Sequence, residues 1–288
     1  MPKPLQPVLR ALRVYPVKSM AGSTPDVAVV EPWGLAGDRR WTLIDDTGKV
    51  VTQRRQPRLA LCRAVSGPDG GIILRVPGDE PLSVAVPVPA AGAGTWGGVF
   101  GETVVVDIFG TKVEAVPAGR RADARMSAYL GAEVTLVHLD RPAERRPVDP
   151  RYARAGDTVS FADGYPLLVT TLSSLDALNS LVAQGDHPDE GPLPMDRFRP
   201  NLVIAGTAPW AEDGWRRVQV GEVVLRVAKG CGRCVVTTTD QDTAERGKEP
   251  LRTLGRHRVM DGKLIFGQLL VPESAGTLRV GDPLTVLD

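Results

Sequence analysis

Short segments in which apolar and polar residues alternate recur along the chain with turn-forming residues between them, and a period of two predicts a protein built mainly of β-strands. In the first part, strands are predicted over 12–17, 40–44, 50–54, 72–76, 82–86, 104–109 and 112–116, with Asp45 to Gly48 turning the second into the third as a hairpin. Beyond residue 117 the theme repeats over 134–138, 167–170, 202–205, 216–220, 223–228, 235–239, 263–271, 277–280 and 284–287. So many short strands at this spacing suggest a barrel. Helical spacing is confined to two places. Leu172, Leu175, Leu178 and Leu181 mark a helix over 173–183 that Ser173 can cap and Gly185 can end, its leucine stripe being core packing. A second helix, over 122–130, suits packing across a barrel end. The stretch 140–151, with three prolines and mixed charge, reads as a long surface loop or a linker, and a domain boundary falls near it or slightly earlier. The Ala/Gly/Pro-rich stretch 87–98 reads as a simple connection, and no internal repeat or low-complexity tract is present.

Composition narrows the class. A chain of 288 residues exceeds the usual size of one core, so two domains, or one with a large subdomain, are expected. Lys and Arg total 35 against 34 acidic residues, and a net charge of +1 gives no overall field to attract nucleic acid or an anionic membrane. Lysines number 7, so 28 of the basic residues are arginines, forked donors suited to phosphate and carboxylate; a codon bias toward arginine accounts for most of that excess. Three cysteines are an odd number and two of them are too close for a useful staple, which argues against a disulfide framework and for a reducing compartment. Neither an apolar leader nor a run of membrane-spanning length is seen, so a cytoplasmic protein without signal or anchor is expected.

Chemistry concentrates at Cys231-Gly-Arg-Cys234, which lies between two segments that both read as strands. A thioredoxin-like pair needs its first cysteine at a helix N-terminus, and the residues after Cys234 read as a strand. A structural zinc site needs further ligands, but Cys62, His138, His187 and His257 are isolated. Small apolar fillers of a strand end remain the plain alternative, against which stands the polar, Arg- and Thr-rich company of these cysteines. A second group has the character of an anion site. Lys18 and Ser19 follow a strand, Asp38 and Arg39 open one, and Arg199 and Asn201 precede another, so that donors suited to phosphate gather at strand ends. Each alone reads as a solvated loop charge, and only the combination carries weight.

The phrases Tyr15-Pro-Val-Lys-Ser19, Gly37-Asp-Arg39 with Trp41, Val51-Thr-Gln-Arg54 with Pro57 to Leu59, Asp163-Gly-Tyr-Pro-Leu167, Phe198-Arg-Pro-Asn201, Cys231 to Cys234 with Thr237 and Thr238, Lys248 to Leu251 and Val280 to Pro283 span nearly the whole chain. In this order they resemble the MOSC (molybdenum cofactor sulfurase C-terminal) proteins of the amidoxime-reducing type. The resemblance implies a β-rich α+β fold, with an N-terminal β-rich domain over 1–118 followed by a MOSC β-barrel over 119–288 with a few short helices. It also implies a molybdenum cofactor (Mo-molybdopterin) between them. By the same resemblance Cys234 is the protein ligand to the metal and Cys231 a neighbour. Lys18, Ser19, Arg39, Arg199 and Asn201, with Thr171 less directly, hold the pterin and its phosphate, and Asp163 sits near the metal, placed to orient water or assist protonation.

The implied activity is reduction of N-hydroxylated compounds: amidoximes, hydroxylamines or N-hydroxylated bases. A soft thiolate suits such a metal, and metal binding deprotonates the thiol. No further cysteines are present for an iron–sulfur cluster. Electrons are therefore expected from a separate protein, a ferredoxin, flavoprotein or cytochrome b5-like donor, to a freely soluble chain. The competing expectation is a sulfur-transfer or cofactor-carrier protein with Cys234 as persulfide, and the third is a binding module without turnover.

Overall fold

In a computed structural model, which describes residues 6–67, 69–87 and 103–288, strands dominate and four short α-helices accompany them. The largest sheet has the strand order Val8–Leu12, Leu202–Ala205, Leu167–Thr171, Lys263–Pro272, Val223–Gly232, Arg217–Val220 and Leu284–Val286, with Val259–Met260 also pairing on Lys263–Pro272. Its two ends nearly meet: Leu9 N donates to Asp282 O at 2.8 Å and Leu284 N to Pro7 O at 2.7 Å. The result is a nearly closed barrel. Leu9, Leu12, Val169, Leu202, Ile204, Val218, Val220, Leu225 and Leu270 fill its interior, all buried. Burial of each such side chain stabilises the fold by roughly 1.5–3 kcal/mol.

A five-stranded sheet (Val50–Val51, Trp41–Ile44, Thr135–His138, Thr111–Pro117, Val104–Ile108) and two three-stranded sheets complete the β-structure. The N-terminal strand Val8–Leu12 pairs with Leu202–Ala205, and Val27–Glu31 pairs with Gly276–Arg279, so the two halves of the chain are interleaved. The helix Arg120–Leu130 buries Ala122, Met126 and Leu130 in a core shared with Trp41, Leu43 and Leu136, so it covers the five-stranded sheet. The helix Leu172–Ala183 connects the parallel strands Leu167–Thr171 and Leu202–Ala205. Its cap is Thr171, whose Oγ1 accepts from Ser174 N at 3.1 Å, and not the Ser173 that the sequence offers two residues later.

Three expectations are corrected. The strand expected over 12–17 lies earlier, at Val8–Leu12, and the chain beyond it joins its neighbours through isolated bridges at Val14 and Val17. The strand expected over 235–239 is a single 3-10 turn, Val235–Thr238, with Cys234 at its start. Thr237 Oγ1 donates to Cys234 O and Thr238 Oγ1 to Val235 O, both at 2.9 Å, so these threonines bond back to their own backbone and favour a turn over a ladder. The stretch 140–151 is not simply surface. It begins with a helical turn, Pro142–Arg145, and then turns inward, so that Arg146 and Val148 are buried. The connection expected over 87–98 lies, beyond Pro87, outside the described residues.

Candidate active site

Three extended segments lie side by side and bring together charges that are far apart in sequence. Arg39 N donates to Tyr15 O (2.7 Å), Trp41 N to Pro16 O (3.0 Å), Lys18 N to Trp41 O (2.8 Å) and Phe161 N to Arg39 O (2.8 Å). Lys18, only 4% exposed, points its Nζ to Phe161 O at 2.8 Å and forms a tight ion pair with Asp163 Oδ1. The Asp163 side chain, by contrast, is 66% exposed, so the pair joins a buried cation to a carboxylate open to solvent. Arg54 Nη2 stands 3.7 Å from Asp163 Oδ2 and donates to Cys234 Sγ at 3.5 Å. Arg54 therefore links the carboxylate to the thiol. Burial pushes the Asp163 carboxyl up, and the charge and hydrogen bond of Lys18, with the charges of Arg54 and Arg39, more than reverse this and hold it below the usual carboxylate range.

Beside this pair lies a second group. Asp38, buried, accepts from Tyr15 N (2.8 Å) and from Arg39 Nη1 (2.5 Å). Arg39 also donates to Asn201 Oδ1 and to Arg199 O, each at 3.1 Å. Arg199 is 9% exposed, donates to Met20 O at 2.8 Å, and has no carboxylate within ion-pair distance among the described residues. Both guanidinium carbons lie over the Tyr15 ring, at 4.6 and 4.4 Å, and the Tyr15 hydroxyl is buried without a hydrogen-bond partner among the described residues. Burial pulls Arg199 down to about 10, which Tyr15 partly offsets and Arg39 reinforces.

A third support comes from Arg146. Its Nη1 donates to the carbonyls of Ser160 and Ala162 at 2.5 Å, and Nη2 to that of Asp163 at 3.2 Å. This fixes the turn that presents Phe161 O and Asp163 to Lys18. Among the described residues, Lys18, Arg39, Arg54, Arg146 and Arg199 face only Asp38 and Asp163, an excess of three positive charges, mostly buried. Buried unpaired cations are costly, so the arrangement suits an anion such as a phosphate ester. Burial lowers Lys18 to about 8; Asp163 opposes the shift and Arg146 and Arg39 add to it.

That shift has a measurable sign. Between about 8 and the ordinary 10.5 the unfolded chain binds the Lys18 proton and the folded chain does not, so this group's contribution to stability rises with pH across the window. Comparing melting of the wild type with Lys18→Met below pH 8 and near pH 10.5, the difference is expected to move in favour of the wild type by a few degrees at the higher pH. A difference independent of pH would mean an ordinary lysine.

Backbone conformation sets the place apart as well. Among the described residues, seven non-glycines have φ in the left-handed region, and Ser19 (68°), Arg39 (48°), Phe109 (52°) and Arg199 (54°) are four of them. Each costs on the order of 1–2 kcal/mol, strain that tends to collect at functional sites.

Most residues singled out in the sequence meet here, though in different roles. Ser19, half-buried, offers its carbonyl to Gln53 Nε2 at 2.8 Å. Asn201 is 1% exposed, and its amide is used internally, accepting from Arg39 and Leu168 N and donating to Arg13 O, so it orients Arg39. Thr171 is not brought to this group: its hydroxyl serves the helix cap and donates to Glu212 Oε2 at 3.2 Å. Cys231 Sγ accepts from Arg233 Nη1 at 2.8 Å, and burial pushes its thiol up against the pull of Arg233. Two members were missed. Arg54 carried a signal in the phrase that runs from Val51, whereas nothing in its proline-rich surroundings marks Arg146. Among the described residues no three His, Cys, Asp or Glu side chains are grouped to hold a metal, so a metal at Cys234 would take its remaining ligands from a bound group.

The MOSC N-terminal beta barrel domain matches residues 6–133 and the MOSC domain residues 156–285. The chain is 33% identical over 293 residues to mitochondrial amidoxime-reducing component 1 of Mus musculus, a similarity covering 96% of this chain and 81% of that protein. The chain belongs to the MOSC-domain family. Its similarity to the human amidoxime-reducing component 1 is 31%, over 96% of this chain and 82% of the relative. It is also 30% identical to molybdenum cofactor sulfurase of Oryza sativa subsp. japonica, over 91% of this chain but 32% of that longer protein. In this MOSC protein the first matched region supplies Lys18, Arg39 and Arg54, the second Asp163, Arg199 and Cys234, and Arg146 falls between them.

Proposed function

We propose that this MOSC protein is a molybdenum-cofactor-dependent oxidoreductase that reduces N-hydroxylated compounds with electrons from a separate redox protein. The observation that carries the reading is Arg54, which joins the Cys234 thiol to Asp163 beside a cluster in which cations outnumber carboxylates. Arg39 and Arg199 would hold the cofactor's phosphate, with the uncommitted N–H of Lys18 beside them, and Cys234 would give the metal its protein sulfur. When bound, the cofactor supplies the two-electron redox chemistry.

The chain's own groups handle position and protons. Asp163 is ionised at neutral pH, so it accepts rather than donates, orienting the substrate's N–OH or a water. The proton is supplied by Lys18 Nζ, which burial lowers to about 8, while the ion-paired Asp163 stays ionised and holds the substrate group beside it. Arg54 keeps thiol and carboxylate in register.

The similarity to the sulfurase over most of this chain favours a second reading, in which Cys234 carries a persulfide. Metal and pterin analysis of purified protein, together with benzamidoxime reduction by a chemically reduced viologen, separates the two. Stoichiometric molybdenum with turnover is the expected result, and Arg199→Ala is expected to lose most of the pterin. Fully metal-loaded protein inert toward benzamidoxime would sink the reductase, and labile sulfane sulfur in metal-free protein would favour the carrier.

A further inference from the structure

The strands Val104–Ile108 and Thr111–Pro117 are joined by two residues, Phe109 and Gly110, since Ile108 pairs directly with Thr111. Both have positive φ, 52° and 93°, which is the mirror-image hairpin turn whose preferred first residue is Asn or Asp. The turn has its own support, because Asp107 Oδ1 accepts from Gly110 N at 2.7 Å. Nothing in the turn asks for an aromatic residue, and a bulky side chain is strained there. Phe109 is nevertheless 53% exposed to water. A lone exposed apolar side chain is ordinary. Phe109 differs because exposure, strain and location coincide: its ring centroid lies 4.7 Å from the Arg54 guanidinium carbon and 5.6 Å from Lys18 Nζ. These are the two cations that hold Asp163, and Arg54 also reaches Cys234.

We propose that Phe109 determines specificity at this site, as a platform on which planar, π-conjugated N-hydroxylated compounds stack beside Asp163 and Cys234. Aryl amidoximes and N-hydroxylated bases are thereby favoured over aliphatic counterparts, which offer the ring only the small planar amidoxime group and no aromatic face. The selection rests on the geometry of the ring, and only its connection to turnover rests on the reductase reading.

Phe109→Asn tests this without endangering the fold, because Asn-Gly is the pair this turn prefers. Phe109→Trp keeps a flat ring. On molybdenum-loaded protein with a reduced viologen, Phe109→Asn is expected to raise KM for benzamidoxime about tenfold with kcat little changed, and to leave acetamidoxime unaffected. Calorimetric Kd values for the two compounds should show the same change, Phe109→Trp should retain the wild-type ratio, and the Tm of Phe109→Asn should not fall. An aryl-to-alkyl ratio unchanged in Phe109→Asn, or an equal loss for both compounds, would overturn the platform. Wild-type protein that turns over neither compound but whose binding preference still depends on residue 109 would remove the reductase reading and leave the platform standing.

Discussion

Cys234→Ser is expected to abolish benzamidoxime reduction and most molybdenum binding while the protein melts within a degree or two of cofactor-free wild type. Losing an outer partner of a metal ligand commonly costs about 10–100-fold, so loss of the ligand itself should exceed about 100-fold. The fold should be indifferent. Cys234 is half-buried, and among the described residues its sulfur's hydrogen-bond partner is Arg54 at 3.5 Å. The turn after it is fixed through its backbone carbonyl, which accepts from Thr237 N at 3.0 Å and from the Thr237 hydroxyl. Cys231→Ser is the control. Its sulfur is occupied by Arg233, so most activity should survive. Activity and metal content measured side by side decide the matter: a fully loaded serine variant that reduced benzamidoxime at the wild-type rate would show that the sulfur is not the ligand.

Arg146→Ala carries the largest expected loss of stability. Removing the guanidinium leaves the carbonyls of Ser160, Ala162 and Asp163 without their donor, at a cost of roughly 1–3 kcal/mol for each one that water cannot reach. Relief from burying a cation offsets part of this, and a net loss of about 2–4 kcal/mol is expected. For a chain of this size that lowers Tm by roughly 5–15 °C. Arg146→Lys keeps the charge but cannot fork to three carbonyls, so it should recover only part of the loss. A second readout separates positioning from mere stability. Arg146 helps to hold the Lys18 pKa down, so in the alanine variant the alkaline limb of the activity profile should move upward. Unchanged melting and an unchanged pH profile together would remove Arg146 from the site.

The strand content was legible in the chain because alternation is a local property. Leu202–Ala205 is where the pattern puts it, and Leu167–Thr171 and Lys263–Pro272 differ from their expected ranges by one residue. Val27–Glu31 escaped notice because Val27 and Val29 on its outer face are as apolar as the buried Ala28 and Val30, so no alternation shows. The 3-10 turn after Cys234 was misread for a related reason. Threonine is a strand former when a neighbour offers a ladder, but here Thr237 and Thr238 bond to carbonyls three residues back.

For the site, the sequence by itself determined the chemical inventory: a thiol at Cys234, a carboxylate at Asp163, and basic residues at strand ends from Lys18 to Arg199. Tertiary structure alone decided their company. Lys18 and Asp163 are 145 residues apart and meet only because three extended segments lie side by side, a long-range pairing that no local pattern encodes. Arg146 shows the same limit most plainly: its proline-rich, charged neighbours signal solvent, while its actual partners are backbone carbonyls 14 to 17 residues further on. Whether a cation is solvated or buried depends on which acceptors the fold sets around it, and that is a property of three-dimensional packing rather than of neighbouring residues.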